Sequence, residues 1–542
     1  MFHQTYIKYF KYVCMFSKSL NRMKHFKLKD VKPEYWFLLL LLVLGFHYNY
    51  HEILTFRPCG IHQWRSCVSA AFPVNYYYGG NFLTTQTNAL LADGLSSDVT
   101  VVEFPLIYYI ISLFYRVFGV NELWFRLVQV SIGFAGLLYL FKASYLVTRD
   151  WFYAAVIPMI IFTSPVYVFY LNGFIPDSVS LSLTFGGLYY FLKFSENKRY
   201  RSWVISMLFF LLAGITKTSS LLPYFGLGGV ALLELIDRLR KTGGESMFVF
   251  KFKHIISYLA VMALIVAWYY YAKVYSEAHG GSVSAVEIRP IWRLDQGPIQ
   301  DSLNSLKKWF RHGDYHNKHF LILSLVIFLG MLPFYKKANR FWYRLSILVF
   351  LGAFAFTMLF FRSMRDHDYY QINNLFLLLT IYLSLFALIG KTWPKLFVSP
   401  WTKVMVGILL LGLVYKCDKK MAYRYSFDDW EYYSSMTNIA RFDIEPYLEE
   451  LGIDRSAKVH CTPDQSINIS LYLCNRKGVT DFWPYGKLPM EERVVELRKA
   501  GIEYVIVGNR ENFPDVENLD EILGKKIGQT GATEIFQLNP GE

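Results

Sequence analysis

The sequence predicts a polytopic α-helical membrane protein that carries a small α/β domain at its C-terminal end. Three observations support this. Apolar side chains make up 54% of the 542 residues and charged ones only 18%, a balance that excludes a string of water-soluble domains. Apolar runs recur along the chain, each of about twenty residues and so long enough as a helix to cross roughly 30 Å of hydrocarbon. After Lys416 the pattern changes to charged segments of mixed period. Strand-like runs appear at Lys458–Cys461 and Tyr504–Val507, with a helical pattern over Met490–Ala500 that stops at Gly501.

The apolar runs fall near 35–49, 124–146, 153–172, 178–194, 203–217, 219–236, 255–273, 319–335, 342–361, 370–390 and 402–416, about eleven spans in all. The segment 104–119 is shorter, opens with Phe104-Pro105 and contains Arg116. Counted as a crossing, it would put Lys198–Arg201, Arg238–Lys253 and Lys336–Arg344 on the face opposite the basic N-terminal residues 1–34. Kept at the interface, it leaves all four on one side, as the excess of Lys and Arg in cytoplasmic loops requires. The expected organisation is therefore a cytoplasmic segment 1–34 and a membrane domain 35–416 whose outer loop 50–122 carries the interfacial helix 104–119. Residues 417–542 form the domain outside the cytoplasmic membrane. The net charge of +14 belongs to those loops and to membrane lipids, and gives no argument for nucleic acid. No cleavable signal peptide is expected, since the first 35 residues lack a compact apolar core. The six cysteines form no CxxC; Cys59 with Cys67, and Cys461 with Cys474, are pairs that an oxidising compartment would permit.

Unusual polar residues gather in the predicted outer segments. Glu103 ends the first outer loop at the lipid boundary, either as a solvated acid at a helix N-terminus or as a carboxylate compensated by a cation, water or a metal. Asp177, after Pro176, is either a helix cap or a functional acid. Lys217 stands among Thr216, Thr218 and Ser219, where a lysine either snorkels or binds a lipid phosphate. Arg126 is an anchor or the partner of a carboxylate. The run Arg362-Ser363-Met364-Arg365-Asp366-His367-Asp368-Tyr369-Tyr370 suits an anionic headgroup, or else is an interfacial aromatic belt. His279, His312 and His316 are available to a metal but lack tight ligand spacing.

Together these pieces resemble the GT-C membrane glycosyltransferases that use polyprenyl-phosphate sugars, in particular the aminoarabinose-transferase and protein-O-mannosyltransferase branch. His62-Gln63-Trp64-Arg65 looks like the opening of that family's first loop, and Glu103-Phe104-Pro105-Leu106 like its return to the membrane. Pro176-Asp177, Thr216-Lys217 and His367-Asp368-Tyr369-Tyr370 look like its later motifs, in the same order over residues 35–400. The resemblance implies an inverting transfer from a polyprenyl-phosphate sugar to a glycan, lipid or protein acceptor. Glu103 and Asp177 would be catalytic; Arg65, Lys217, Arg365, His367, Tyr369 and Tyr370 would hold the lipid phosphate. A divalent metal would sit on Glu103 and His279. One departure stands out: the family's first loop has an acid where this chain has Val68, which accepts no proton. Either another carboxylate replaces it, with Glu103 first and Glu52, Asp93 and Asp98 in the same loop, or the acceptor needs no base, or the chain is a non-catalytic carrier-lipid or polysaccharide binder. A flippase is disfavoured, because the charges gather at outer span ends rather than mid-span.

Overall fold

The computed structural model describes residues 31–90, 98–240, 247–248, 251–279, 288–482, 485–513 and 519–538. Most of the basic N-terminal stretch, Asp93, and parts of the 238–253 and 274–318 loops lie outside them.

Each predicted apolar run is helical, but not every helix is a full apolar crossing. Among the described residues, six helices are long and apolar enough to span: Glu122–Thr148, Thr218–Leu239, Phe252–Ala278, Arg340–Leu359, Asp368–Thr392 and Pro400–Arg424. Trp151–Ile161 and Pro165–Leu171 form a seventh if counted together, bent by 77° where Pro165 starts a new helix. Pro33–His47, Tyr200–Thr216 and Lys318–Phe334 are apolar but shorter.

Asp177–Asn197 is long enough, yet rich in Ser and Thr, because it is packed inside the bundle instead of facing lipid. Ser178, Ser180, Ser182 and Thr184 are all buried and bond to nearby carbonyls, as with Ser182 Oγ donating to Ser178 O at 2.6 Å. Gly136 makes this close approach possible, since a Cβ there would lie 2.5 Å from Ser182 O. Each of the eleven expected runs thus falls on a helix or a bent helix pair, but among the described residues six, or seven with the bent pair, are long and apolar enough to span.

The segment expected at the interface forms the helix Leu106–Phe118. Its thirteen residues reach about 20 Å, short of the hydrocarbon thickness. Ile107, Ile111 and Tyr115 are buried, while Leu113, Phe114, Val117 and Phe118 are exposed on the opposite face.

The two ends of the bundle differ. At one, Lys198 Nζ donates to Met247 O at 3.2 Å, and Arg340 and Arg344 meet Asp237 at 3.0 and 2.6 Å, so the basic loops gather together. The helix Tyr200–Thr216 leads away from that end to Lys217 at the other, about 25 Å along its axis.

The final long helix continues beyond residue 416 to Arg424, because Leu413, Cys417, Met421 and Arg424 keep one buried stripe. The α/β domain therefore begins later than expected. Its sheet has the order β2-β1-β3-β5-β4: β1 (Lys458–Thr462), β2 (Lys477–Thr480) and β3 (Tyr504–Val507) are parallel, while β4 (Lys525–Thr530) and β5 (Thr533–Gln537) are antiparallel additions.

The β2 edge does not face solvent. The first outer loop pairs with it, Leu90 N donating to Gly478 O at 2.8 Å and Gly478 N to Asn88 O at 3.0 Å. Lys477 binds Asp98 beside this contact, and Arg57 reaches Glu122 at 2.6 Å, Asp443 at 3.0 Å and Leu473 O at 2.8 Å. Loop and domain are one packed unit. Among the described residues the cysteines are unpaired: Cys461 and Cys474 lie 4.0 Å apart at sulfur, beyond bonding distance, and Cys59 and Cys67 are also free.

Candidate active site

A cavity of about 790 Å³ opens between the first outer loop, the Arg362–Tyr370 turn and the end of the helix Tyr200–Thr216. Its walls are built from local chemistry. The helix Gln63–Tyr77 begins after His62, whose left-handed backbone (φ 62°) turns the chain sharply and starts the helix at the cavity. Arg65, one turn in, donates to Ser69 Oγ at 2.8 Å and forms an ion pair with Glu103. Glu103 is fixed by stitching of the extended stretch around it: Val101 N to Ser276 Oγ at 3.1 Å, Trp268 Nε1 to Val102 O at 3.1 Å, and Phe104 N to Ile215 O at 2.9 Å.

Burial alone would push the Glu103 carboxyl up, but the Arg65 guanidinium, Lys217 and the hydrogen bond from Arg65 outweigh it and hold it below the usual carboxylate range. It is an ionised group, and its Oε2 is buried with no hydrogen-bond partner. The bland reading of a solvated helix terminus is excluded, since Glu103 is only 3% exposed.

The same cavity has a cationic and phenolic lining. Lys217 Nζ lies 5.7 and 5.3 Å from the ring centroids of Tyr369 and Tyr370. Arg365 binds Asp366 at 2.6 Å, and Arg362 reaches the same carboxylate at 3.4 Å. His367 lines the cavity too, but burial, with His62 nearby, pushes its imidazole down to about 4. It can serve an anion as a neutral hydrogen-bonding ring, not as a cation.

Seven predicted site residues therefore meet at one cavity: Arg65, Glu103, Lys217, Arg365, His367, Tyr369 and Tyr370. Two expectations need correction. Asp177 is neither a helix cap nor on the cavity wall. Pro176 occupies the cap position, and Asp177 is fully buried, 3.4 Å from Lys217 Nζ. It balances and positions Lys217 without access to a substrate. His279 is exposed at the end of the helix Phe252–Ala278, its ring stacked on Tyr275 at 4.1 Å, and it does not line the cavity.

The pair Glu103 and His279 therefore does not fit a divalent ion, and among the described residues no group of three or more His, Cys, Asp or Glu gathers to hold one. His316 is buried elsewhere against Ile160 O at 3.0 Å, and His312 is exposed. Of the alternative acids, Asp98 is taken by Lys477, Glu52 is exposed, and Asp93 lies outside the described residues. Arg126 pairs with no carboxylate; it donates to Asn172 O and Leu54 O, each at 3.2 Å, and to Phe56 O.

Sequence reasoning missed a buried hub. Asp368 accepts from Arg424 at 2.8 Å, from the Tyr170 hydroxyl, and faces His62 Nε2 at 3.3 Å. Arg424 also reaches Asp314 at 3.4 Å. The charged run 362–370 flagged Asp368, but nothing in the spacing linked it to residues 62 and 424.

The helical bundle, the cavity beneath its first long loop and the small C-terminal sheet domain make up a fold of the GT-C type. ArnT from Cupriavidus metallidurans in the apo state has this fold, with a TM-score of 0.57 at 14% identity over 93% of this chain and 98% of its own. The same protein bound to undecaprenyl phosphate gives 0.57 at 13% identity, over 93% of this chain and 97% of its own. No family model and no curated protein matches the sequence.

Proposed function

We propose that the protein is an integral-membrane glycosyltransferase that moves a sugar, with inversion, from a polyprenyl-phosphate carrier to a glycan, lipid or protein acceptor at the outer face of the cytoplasmic membrane. The supporting observation is the gathering of both chemistries at one cavity. Lys217, with Tyr369, Tyr370 and the two arginines, offers a surface suited to a phosphate monoester, and the ionised Glu103 carboxylate lines the same cavity. That ArnT has been solved with undecaprenyl phosphate bound is consistent with this gathering.

In this reading the phosphate draws Arg362 and Arg365 away from Asp366, and Lys217, already desolvated and steadied by Asp177, supplies a fixed charge. An acceptor hydroxyl donates a hydrogen bond to Glu103 and is aimed at the anomeric carbon. The new C–O bond forms as the bond to phosphate breaks, and the lipid monophosphate leaves with the electron pair, its added charge met by the cationic wall.

The test is incubation of the purified protein with labelled polyprenyl-phosphate sugars, following release of lipid phosphate and the destination of the label. Release with transfer is expected. Tight donor retention without release from any donor tried would favour a second reading, a non-catalytic carrier-lipid binder. The observation behind that reading is Val68, an apolar residue on the cavity wall where the resembling family has an acid. Transfer gained only in Val68→Asp would mark a lapsed enzyme.

A further inference from the structure

The two wall positions from which a base is expected do not supply one. Val68 accepts none, and Glu103 is bound to Arg65 as a stabilised anion, which makes it a good hydrogen-bond acceptor but a weak base. A transfer that forms an ether-type bond from a hydroxyl has to deposit that proton somewhere.

We infer that His62, oriented by Asp368, takes the proton of the acceptor hydroxyl. This rests on the glycosyl-transfer reading and deepens it. Three features of the geometry support the inference. His62 lines the cavity, with its side chain 15% exposed. Its Nε2 lies 3.3 Å from the Asp368 carboxylate but is not aligned for a hydrogen bond; a small turn of the ring points an Nε2 proton at that acid and leaves the lone pair on Nδ1. Nδ1 itself has no protein partner among the described residues.

The ring is also well placed relative to the phosphate wall. It packs edge-on against Tyr369, with centroids 5.1 Å apart, and Lys217 Nζ lies 5.7 Å from the centroid of that same ring. The acid behind the imidazole is fully buried and steadied by Arg424 and the Tyr170 hydroxyl, so it can stabilise an imidazolium without moving. In the balanced step, the acceptor O–H proton passes to Nδ1 while its oxygen bonds to the anomeric carbon. The bond from that carbon to the phosphate oxygen breaks, and the electron pair leaves with the lipid monophosphate. The imidazolium beside Asp368 then returns its proton to water. Asp368 acts through His62 and is a positioning residue.

The experiment uses the full-length protein and two variants. His62→Gly suits the left-handed backbone at that position and leaves room for added imidazole; His62→Asn tolerates the same backbone and keeps a polar side chain. Expected in both is a fall in kcat of at least about a hundredfold. Binding of the donor lipid should stay as in the parent, and imidazole should restore turnover in His62→Gly. Retention of kcat within about threefold of the parent overturns the inference and leaves the glycosyl-transfer reading standing. Loss of turnover together with donor binding, or loss that imidazole does not restore, makes His62 a packing residue and equally overturns it. Failure of the parent protein to transfer from any donor is a separate result, which removes the transfer reading itself and the inference with it.

Discussion

At the scale of single residues, the site is a set of charges balanced before any substrate arrives. Glu103 is paired with Arg65, and Lys217 with the buried Asp177, so each pair can exchange its partner for a substrate group. Glu103→Gln keeps the shape but removes the charge that, in the proposed reaction, aligns the acceptor. Turnover should fall by at least about a hundredfold with donor binding nearly unchanged, as for a contact made mainly in the transition state. Full activity in this variant, measured by label transfer, would remove Glu103 from the reaction. Lys217→Ala has two effects. Donor binding should weaken by about 2 kcal/mol through loss of a charge-assisted contact. The variant should also melt lower, because it leaves Asp177 buried without its cation. Adding Asp177→Asn should restore the melting temperature but not the affinity. An unchanged affinity in Lys217→Ala would make the lysine a structural counter-ion only.

At the scale of elements, the decisive pieces are those that tie the first outer loop down. The sequence made the helix Leu106–Phe118 legible as a short apolar element, with Phe104-Pro105 before it and Arg116 near its end. It did not disclose that Asn88–Leu90 lies along the β2 edge, because three residues of loop carry no strand period and their partner is hundreds of positions away. Nor could it reveal that Asp177–Asn197 sits inside the bundle, where hydroxyls replace apolar side chains. The β2 contact depends on Gly478, where a Cβ would stand 1.7 Å from Val459 O in the neighbouring strand. Gly478→Ala therefore forces β1 and β2 apart. We expect a lower melting temperature for the C-terminal domain, faster proteolysis within the first outer loop, and reduced turnover; wild-type protease resistance in that loop would show that the pairing is not what holds it.

At the scale of the whole molecule, the two ends of the bundle have opposite chemistry, basic loops at one and the acid-and-cation cavity with its domain at the other. Single cysteines near Lys198 and near Lys337 should be silent to a membrane-impermeant thiol reagent in intact cells, while one at Lys525 should react. Labelling near Lys198 from outside would invert the arrangement. The order of motifs along the chain was readable because each is local, a few residues at a helix end. The hub of His62, Asp368 and Arg424 was not, because its members come from three distant segments and meet only when the bundle closes. The loop-to-domain pairing has one further consequence, for the order of synthesis. Asn88 emerges from the ribosome 388 residues ahead of Arg476, whose carbonyl it caps. The contact between this loop and the C-terminal domain therefore forms only when nearly the entire chain has been translated, so an unfinished chain lacks the completed cavity.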